Sequence, residues 1–177
     1  MPVWTRCACR GATRLPRALR SWLLDPTSLT DRIRSLCSGR FSVRVLGEGW
    51  RRPRLDEARA LNMPGRRLGW IREVQLLCGG EPRVFARTVI PVDTLTGPQR
   101  RLAHLGTKPL GAYLFAHPSM SRGIVEVAAI GPGQAMFARA TAGVSEPRER
   151  IWARRSLFRV SGKPLLVTEI FLPGFGL

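Results

Sequence analysis

The strongest β-hairpin signal in this sequence is the run Leu68-Gly-Trp-Ile-Arg-Glu-Val-Gln-Leu-Leu-Cys78, followed by Gly79-Gly80-Glu81-Pro82 and then by Arg83-Val-Phe-Ala-Arg-Thr-Val-Ile90. The two flanking runs are rich in apolar and β-branched residues, and the four residues between them are typical of a turn. Pro91 has no backbone N–H, so it predicts the end of the second strand. The segment therefore predicts an antiparallel strand pair.

A second hairpin is predicted near the end of the chain, where Arg154 to Val160 and Leu165 to Leu172 flank the turn Ser161-Gly-Lys-Pro164. Alternating apolar residues predict a half-buried strand at residues 41–45, and residues 124–130 predict another. Because hairpins dominate the strand order, the sequence predicts an α+β fold. We expect a single antiparallel sheet of about six strands with helices at the periphery.

Helical spacing of apolar residues predicts two neighbouring helices, Leu15 to Leu24 and Leu29 to Cys37. Pro26 ends the first, and Thr27 or Ser28 is suited to cap the second. Weaker helical signals lie at Leu55 to Leu61, Pro98 to Leu105 and Lys108 to Phe115.

At 177 residues the chain fits one domain that buries about two thirds of its unfolded surface. We expect residues 15–177 to form this domain and residues 1–14 to be a loose basic tail. The segment 131–150 is rich in glycine, alanine, proline and charge, which predicts an exposed mobile loop, the alternative being a lid over a binding site.

A net charge of +17 would ordinarily suggest a nucleic-acid or membrane partner. Almost all of the basic residues are arginines, however, and they are scattered from Arg6 to Arg159 without a long basic run. Tyr113 is the only tyrosine, and most Phe and Trp residues occupy core positions, so few rings are left to stack on bases. We therefore expect no nucleic-acid partner.

The cysteines and histidines lack the spacing of zinc ligands, so we expect no metal site. His104 and His117 are expected to be structural or solvent-facing. No apolar stretch approaches the roughly twenty residues of a membrane span, and the first twenty residues lack the apolar run of a secretory signal. The sequence thus predicts a cytoplasmic protein, without a cofactor, whose four cysteines are reduced: Cys7, Cys9, Cys37 and Cys78.

Two charged residues fall where strand alternation calls for inward-facing apolar side chains. Arg72 alternates with Trp70 and Val74, and Glu169 alternates with Val167 and Phe171. Burying a charge costs several kcal/mol per ion. A ligand with a carboxylate at one end and a hydroxyl at the other would account for both residues, the alternative being a structural salt bridge across the sheet.

Arginine is suited to binding carboxylates because its planar, permanently charged guanidinium makes bidentate hydrogen bonds. Besides Arg72, alternation places Arg87 and Arg155 partly inward, whereas we expect Arg154 and Arg159 on a solvated face. The sequence contains no GxSxG motif, no P-loop and no GxGxxG opening a helix. Any catalysis would therefore rest on arginine, a carboxylate and the shape of the site.

Six colinear blocks of the sequence together carry a resemblance that none would establish alone. They are Ser28-Leu29-Thr30; Arg72-Glu73-Val74; Phe85-Ala-Arg-Thr-Val-Ile-Pro91; Gly106-Thr-Lys-Pro-Leu-Gly111 with Leu114-Phe115; Trp152-Ala-Arg-Arg-Ser156; and Gly162-Lys-Pro-Leu-Leu-Val-Thr-Glu-Ile-Phe-Leu-Pro173. From about Trp22 to Pro173 the chain resembles the chorismate pyruvate-lyase family.

The resemblance implies a cofactor-free enzyme that converts chorismate to 4-hydroxybenzoate and pyruvate, the first step towards the ubiquinone head group. It implies that Arg72 binds the carboxylate of the aromatic product, that Glu169 binds its hydroxyl, and that backbone groups of Leu29 and Leu110 complete the site. Arg72 and Glu169 are then the expected catalytic residues. We expect a monomer whose partners are the small-molecule substrate and product.

Within this reading, Arg87 or Arg155 would hold the second carboxylate of chorismate, on the enolpyruvyl arm. Glu169 would orient the hydroxyl or accept the proton. Segments near Leu29 and Leu110 would act as flaps, with slow product release. The chain departs from the family in the longer 131–150 segment and in Ala153, where glycine is usual.

The main alternative is a binding module. Ligand-sensing domains of some bacterial transcription regulators resemble this fold and bind small carboxylates without reaction. Such regulators carry a helix-turn-helix segment ahead of the sensor, and the residues before Phe41 are too few for a winged-helix domain.

Overall fold

One antiparallel sheet organises the computed structural model, which describes residues 1–6, 15–64, 66–144 and 150–175. Its strand count is slightly higher than the six or so that the sequence predicts, because two of its strands have only two residues each. The eight strands of the described residues are β1 (Thr5–Arg6), β2 (Phe41–Arg51), β3 (Gly69–Cys78), β4 (Glu81–Pro91), β5 (Ser121–Arg122), β6 (Glu126–Ile130), β7 (Ile151–Val160) and β8 (Lys163–Phe171).

Neighbouring strands follow the order β1-β6-β7-β8-β4-β3-β2, and β5 also pairs with β7. Both predicted hairpins, β3-β4 and β7-β8, are confirmed. Their turns are tighter than predicted because two residues suffice when both have positive φ. Gly79 and Gly80 have φ of 60° and 88°, and Ser161 and Gly162 have φ of 50° and 76°.

The predicted helical segments are present, although the one at Pro98 to Leu105 is a 3-10 helix, Gly97–His104. Ser28 is the N-cap of the second helix, since its Oγ accepts a hydrogen bond from the backbone N–H of Asp31. The α-helices are α1 (Arg17–Leu23), α2 (Leu29–Leu36), α3 (Leu55–Ala60), α4 (Leu110–Ala116) and α5 (Ala135–Thr141), and a further 3-10 turn is Val92–Thr94.

Helices cover both faces of the sheet. Helices α1, α2 and α4 pack on the face that carries Val74 and Val167, which we call the cavity face. Helix α5 packs on the opposite face, which we call the back face, against Phe85 and Ile170. The alternation of side chains along each strand assigns every strand residue to one face or the other.

The segment 131–150 is not an exposed loop over its described part, residues 131–144 and 150. It contains α5, in which Met136, Phe137 and Ala140 are buried on the back face. Apolar residues at this spacing form one face of a helix, and tertiary packing stabilises a helix too short to persist alone. Because α5 lies on the back face, the described part of the segment is not a lid over the cavity face. Residues 145–149 lie outside the described residues.

The beginning of the chain also differs from the prediction of a loose tail at residues 1–14. Thr5 and Arg6 pair with Val127 and Glu126 as strand β1. The indole N–H of Trp4 donates a hydrogen bond to Asp56, with Nε1 and Oδ2 2.9 Å apart. The first six residues therefore belong to the domain, and residues 7–14 lie outside the described part.

The expectation of four reduced cysteines is wrong for two of them. Cys37 directly follows α2 and forms a disulfide with Cys78 at the end of β3, with the two Cα atoms 5.7 Å apart. The hydrogen bond from the backbone N–H of Gly79 to the carbonyl of Arg40 holds the same ends together. Cys7 and Cys9 lie outside the described residues. Over the described ranges, no helix is long and apolar enough to cross a membrane.

Candidate active site

A cavity of about 560 Å³, counting the part open to solvent, lies between the cavity face and helices α2 and α4. Most of the lining side chains are apolar, and three arginines and one glutamate are among them. The lining residues are Thr27, Leu29, Thr30, Val43, Arg72, Val74, Leu76, Ala86, Thr88, Pro109, Leu110, Gly111, Leu114, Phe115, Arg122, Arg154, Phe158, Val167 and Glu169.

Arg72 lies on β3 and is 3% exposed. Its Nη2 donates hydrogen bonds to the carbonyls of Gly106 at 2.7 Å and Lys108 at 3.1 Å. Its Nε is buried without a hydrogen-bond partner among the described residues, and the nearest carboxylate, Glu48, is 3.8 Å away. Burial lowers the pKa of the Arg72 guanidinium, against the opposing charge of Glu48. A guanidinium held this way retains donors for an anionic ligand.

Glu169 lies on β8, directly opposite Arg154 on β7. The Nε of Arg154 donates to Oε2 of Glu169 at 2.5 Å, and Arg154 is only 1% exposed. Nη1 of Arg154 donates to the carbonyls of Trp22 and Asp25, at 2.7 and 2.8 Å. Within the described residues no hydrogen bond reaches Oε1 of Glu169, which leaves it able to accept one from a ligand.

Arg122, on β5, is the third arginine of the cavity. Its Nε donates to Oγ of Ser156 at 3.0 Å, and its Nη1 donates to the carbonyl of Pro26 at 2.8 Å. Burial lowers the pKa of the Arg122 guanidinium, and the charge of Arg154 lowers it further, while Glu169 acts in the opposite direction. The charge of Asp25 acts in the same direction as that of Glu169, so the protein holds two cations close together with two carboxylates nearby.

Leu29 and Leu110 are the first residues of α2 and α4, and both are buried against the cavity. Helix N-termini leave backbone N–H groups without intrahelical partners, so both segments can donate to a ligand. The two helices touch here. A Cβ added at Gly111 would lie 3.2 Å from Oγ of Ser28 and 3.2 Å from Oγ1 of Thr30.

The structure brings Arg72, Glu169, Leu29 and Leu110 to one cavity, in agreement with the face assigned to both charges by strand alternation. The further expectation that Arg87 or Arg155 contacts the same ligand needs correction.

Arg87 lies on the back face, where its guanidinium binds both carboxylate oxygens of Glu57, at 2.6 and 2.9 Å, and Oε1 of Glu73 at 2.7 Å. Arg155 lies on the same face, where its Nε donates to Glu126 at 2.7 Å and its Nη1 is 3.3 Å from Asp56. Each arginine faces inward, as alternation predicts. The interior that each one faces is the back face of the sheet, on the opposite side from the cavity.

Sequence reasoning missed Arg154 and Arg122. For Arg154 a signal existed, because it alternates with Trp152 and Phe158 and its strand pairs with that of Glu169. We expected it on a solvated face instead. For Arg122 the sequence offers no periodic signal, since its strand has two residues. The described residues contain no group of three or more His, Cys, Asp or Glu side chains suited to hold a metal ion.

The family model and the named relatives that match this chain indicate the same family. A sequence model described as chorismate lyase matches residues 4–175. A relative from Aromatoleum aromaticum named "Probable chorismate pyruvate-lyase" is 45% identical over 162 residues, covering 90% of this chain and 87% of that protein. The "Chorismate pyruvate-lyase" of Erwinia tasmaniensis is 40% identical over 159 residues, covering 90% and 80%.

Solved structures share the fold at low sequence identity. The effector domain of PhnF from Mycobacterium smegmatis aligns with a TM-score of 0.60 at 12% identity, covering 83% of this chain and 89% of that one. The C-terminal domain of the histidine utilization repressor from Pseudomonas syringae aligns with a TM-score of 0.54 at 11% identity, covering 78% and 95%. These matches establish the architecture alone.

Proposed function

The chain belongs to the chorismate lyase family, and we propose that the cavity between the sheet and helices α2 and α4 is where it cleaves chorismate to 4-hydroxybenzoate and pyruvate. The observation that carries this proposal is the pairing of Arg72 and Glu169 in one largely apolar cavity. 4-Hydroxybenzoate has a carboxylate and a hydroxyl at opposite ends of an apolar ring. An arginine and a carboxylate across such a cavity match both ends.

The spacing of the strands supports this match. Arg72 is on β3 and Glu169 on β8, and β4 runs between them. Neighbouring strands lie about 4.8 Å apart, so the two backbones are separated by about 10 Å across the sheet. The cavity residues of β4 between them are Ala86 and Thr88, whose short side chains leave room above the strand for a ring.

We assign the ring carboxylate to Arg72, whose buried Nε lacks a partner among the described residues. We assign the hydroxyl to Glu169, through the Oε1 that Arg154 leaves free. Backbone N–H groups at Leu29 and Leu110 complete the contacts from the two helix N-termini. Arg72 and Glu169 are the proposed catalytic residues.

The substrate requires little covalent assistance from the protein. Loss of hydrogen from the ring carbon that bears the hydroxyl, with cleavage of the ether bond to the enolpyruvyl arm, makes the ring aromatic. The electron pair of the C–H bond enters the ring, and that of the C–O bond leaves with the enolpyruvyl oxygen. The hydrogen ends on the methylene carbon, which becomes the methyl group of pyruvate.

We propose that the cavity fixes the conformer in which this hydrogen faces the methylene carbon. Glu169 is the only carboxylate among the described lining residues, and no histidine or lysine lines the cavity there. The charge of Glu169 is already paired with that of Arg154. We therefore propose that Glu169 orients the hydroxyl. An arginine would stabilise negative charge that develops on the departing arm.

Helices α2 and α4 close the cavity where Gly111 meets Ser28 and Thr30. A product held beneath this contact would leave as the two helix N-termini separate. We propose that they act as flaps and that release of 4-hydroxybenzoate limits turnover, as lid opening often does. Inhibition by the product follows from the same closure.

We further propose a monomeric cytoplasmic enzyme that needs no metal or cofactor and supplies 4-hydroxybenzoate for the ubiquinone head group. The substrate is already activated for elimination, so the reaction requires neither a metal nor a cofactor. In a reducing cytoplasm the Cys37–Cys78 bond would be opened by cellular thiols.

The proposal is tested by incubating the purified protein with chorismate and following 4-hydroxybenzoate and pyruvate together by chromatography. Equal formation of both is expected. Arg72→Met should lower turnover at least about a hundredfold and weaken 4-hydroxybenzoate binding, because it removes the charged partner of the carboxylate. Arg44→Met, at an exposed arginine on β2, is the matched control and should leave both unchanged.

The alternative sensor function is distinguished by the same experiment. Tight 4-hydroxybenzoate binding without any turnover of chorismate would favour a binding module, as in the regulators that share the fold. Neither binding nor turnover would overturn the assignment of this cavity. The sequence identities of 40–45% to named lyases, against 11–12% to the two regulator domains compared above, favour turnover.

A further inference from the structure

The charge of the cavity exceeds what the product needs. Its described lining residues include three arginines and one glutamate, so they carry a net charge of about +2. 4-Hydroxybenzoate brings one negative charge, whereas chorismate brings two, the second being the carboxylate of the enolpyruvyl arm. Among the lining residues there is thus one cation in excess for each carboxylate of the substrate, with Glu48 and Asp25 acting on Arg72 and Arg122 from outside the lining, and one arginine remains to be assigned.

Arg154 is less suited to this role than Arg122: the Nη2 of each makes no hydrogen bond within the described residues, but the charge of Arg154 is already paired with Glu169 at 2.5 Å. Its Nε is committed to Glu169 and its Nη1 to the carbonyls of Trp22 and Asp25. It is also almost completely buried, so its position is fixed by these three contacts. Since Arg72 is assigned to the ring carboxylate, Arg122 is the remaining cation.

Arg122 is held in place yet keeps donor capacity. Ser156 accepts from its Nε, and the carbonyls of Asp25, Pro26 and Thr27 lie 3.2, 2.8 and 3.4 Å from its Nη1. Within the described residues no hydrogen bond involves its Nη2. The guanidinium carbon lies 5.2 Å from the ring centroid of Phe158, which also lines the cavity. The carboxylate of Asp25 forms its ion pair with Arg32, at 2.7 Å, although its charge also acts to raise the pKa of Arg122.

We propose that Arg122 binds the carboxylate of the enolpyruvyl arm, so that it distinguishes chorismate from the aromatic product and stabilises the departing enolpyruvate. The inference rests on the function proposed above for this cavity. It assigns the contact for which Arg87 and Arg155 were first considered. It also explains why the cavity keeps a third arginine that 4-hydroxybenzoate alone would leave unpaired.

The test uses three ligands and two substitutions in the full chain. The ligands are 4-hydroxybenzoate, an unreactive aromatic analogue of chorismate that keeps the enolpyruvyl arm, and the same analogue with the carboxylate of the arm replaced by methyl. The wild-type protein should bind the dicarboxylate analogue about tenfold to hundredfold more tightly than the methyl analogue, the usual size of a charged hydrogen-bonded contact.

Arg122→Met should abolish this preference, lower kcat/KM for chorismate by a similar factor, and change the Kd of 4-hydroxybenzoate less than about threefold. Arg122→Lys should retain part of the preference that Arg122→Met loses, because lysine keeps the positive charge but lacks the planar guanidinium that makes bidentate hydrogen bonds. Arg159→Met, at an exposed arginine on β7 whose backbone pairs with that of Ser121, is the matched control and should behave as wild type.

A structural role for Arg122 would give a different result. If the residue only held the Asp25–Thr27 carbonyls, Arg122→Met would weaken all three ligands by the same factor, and the inference would be overturned. It would equally be overturned if the variant kept the preference for the dicarboxylate analogue. Absence of chorismate turnover in the wild-type protein, by contrast, would refute the proposed function itself, independently of the analogue preference.

Discussion

Arg154 and Glu169 are directly opposed residues of β7 and β8, and the Nε of Arg154 lies 2.5 Å from Oε2 of Glu169. The same guanidinium binds carbonyls of Trp22 and Asp25 at the end of α1 and in the turn that follows. The pair therefore links the proposed catalytic carboxylate to the segment that leads into the flap helix α2. Its geometry fixes one carboxylate oxygen and leaves the other without a hydrogen bond within the described residues.

Replacement of Glu169 should separate its two roles. Glu169→Ala leaves the buried Arg154 without its ion-pair partner, which should cost about 3 kcal/mol of the free energy of unfolding. Glu169→Gln retains an oxygen acceptor and should cost clearly less. Both variants should lose at least about tenfold in kcat, because neither presents a carboxylate to the hydroxyl. Urea unfolding and steady-state turnover measure the two effects, and a fully active Glu169→Ala enzyme would refute the orienting role.

The sheet and its hairpins were predictable because strand alternation and turn chemistry are local signals. The positive φ of Gly79 and Gly80 is the backbone geometry that a two-residue hairpin needs. Helix α5 was not predictable in the same way, since Met136 and Phe137 are stabilised by packing on the back face rather than by the composition of their own segment.

The site was half predictable for a related reason. Alternation identifies which residues share a face within one strand, and it assigned Arg72 and Glu169 correctly to the interior. It does not say which of two buried faces holds the ligand, because helices cover both. Arg87 and Arg155 are buried as expected, on the face opposite the cavity. The Cys37–Cys78 bond depends on where α2 ends relative to β3, which no local signal specifies.

The contact between the flap helices at Gly111 should control product release. In Gly111→Ala the new Cβ would lie 3.2 Å from both Ser28 Oγ and Thr30 Oγ1, so the closed contact between the two helix N-termini must loosen by a few tenths of an ångström. We expect 4-hydroxybenzoate to bind about tenfold more weakly and to dissociate faster. The thermal midpoint should not fall, because alanine favours the helical conformation of α4. Stopped-flow displacement of the product measures the release rate.

The control for this substitution is Gly47→Ala. A Cβ there would also approach another atom at 3.2 Å, but that atom is the end of the flexible Arg51 side chain. Product release should remain at the wild-type rate. An unchanged release rate in Gly111→Ala itself would contradict the role of the helix contact.

The disulfide between Cys37 and Cys78 should contribute to stability only under oxidising conditions. The two residues are separated by 41 positions. In the chain-entropy account, a loop of this size is worth about 4 kcal/mol. We expect a thiol reductant to lower the thermal midpoint of the wild-type protein and to leave that of Cys37→Ser unchanged. Titration of free thiols in the denatured protein, which should rise by two on reduction, verifies that the bond was opened. Equal midpoints before and after verified reduction would contradict the prediction.

The ion pairs of the back face form a second charged network behind the cavity. Glu73 is 2% exposed and accepts hydrogen bonds from Arg87 at 2.7 Å and from Arg139 of α5 at 2.8 Å. Glu57 accepts hydrogen bonds from Nε and Nη2 of Arg87. The network joins α3, the sheet and α5, and it lies on the opposite side of β3 from Arg72. Its effect should therefore appear in stability.

The pH dependence of unfolding tests this assignment. Burial acts to raise the pKa of Glu73, but hydrogen bonds and charges from Arg139 and Arg87 outweigh it and hold the pKa below the ordinary value of 4.5. Because the unfolded chain then binds the proton more readily, Glu73 stabilises the fold fully above about pH 4.5, and this contribution is lost as the pH falls through the lower folded-state pKa. The free energy of unfolding of Glu73→Gln should lie below that of wild type at pH 7, and the two should converge on acidification.

Glu81→Gln, at an exposed carboxylate outside the network, controls for the change of side chain. A gap between wild type and Glu73→Gln that stays constant down to the acid transition would contradict the assignment, and so would a loss of 4-hydroxybenzoate affinity in Glu73→Gln at pH 7.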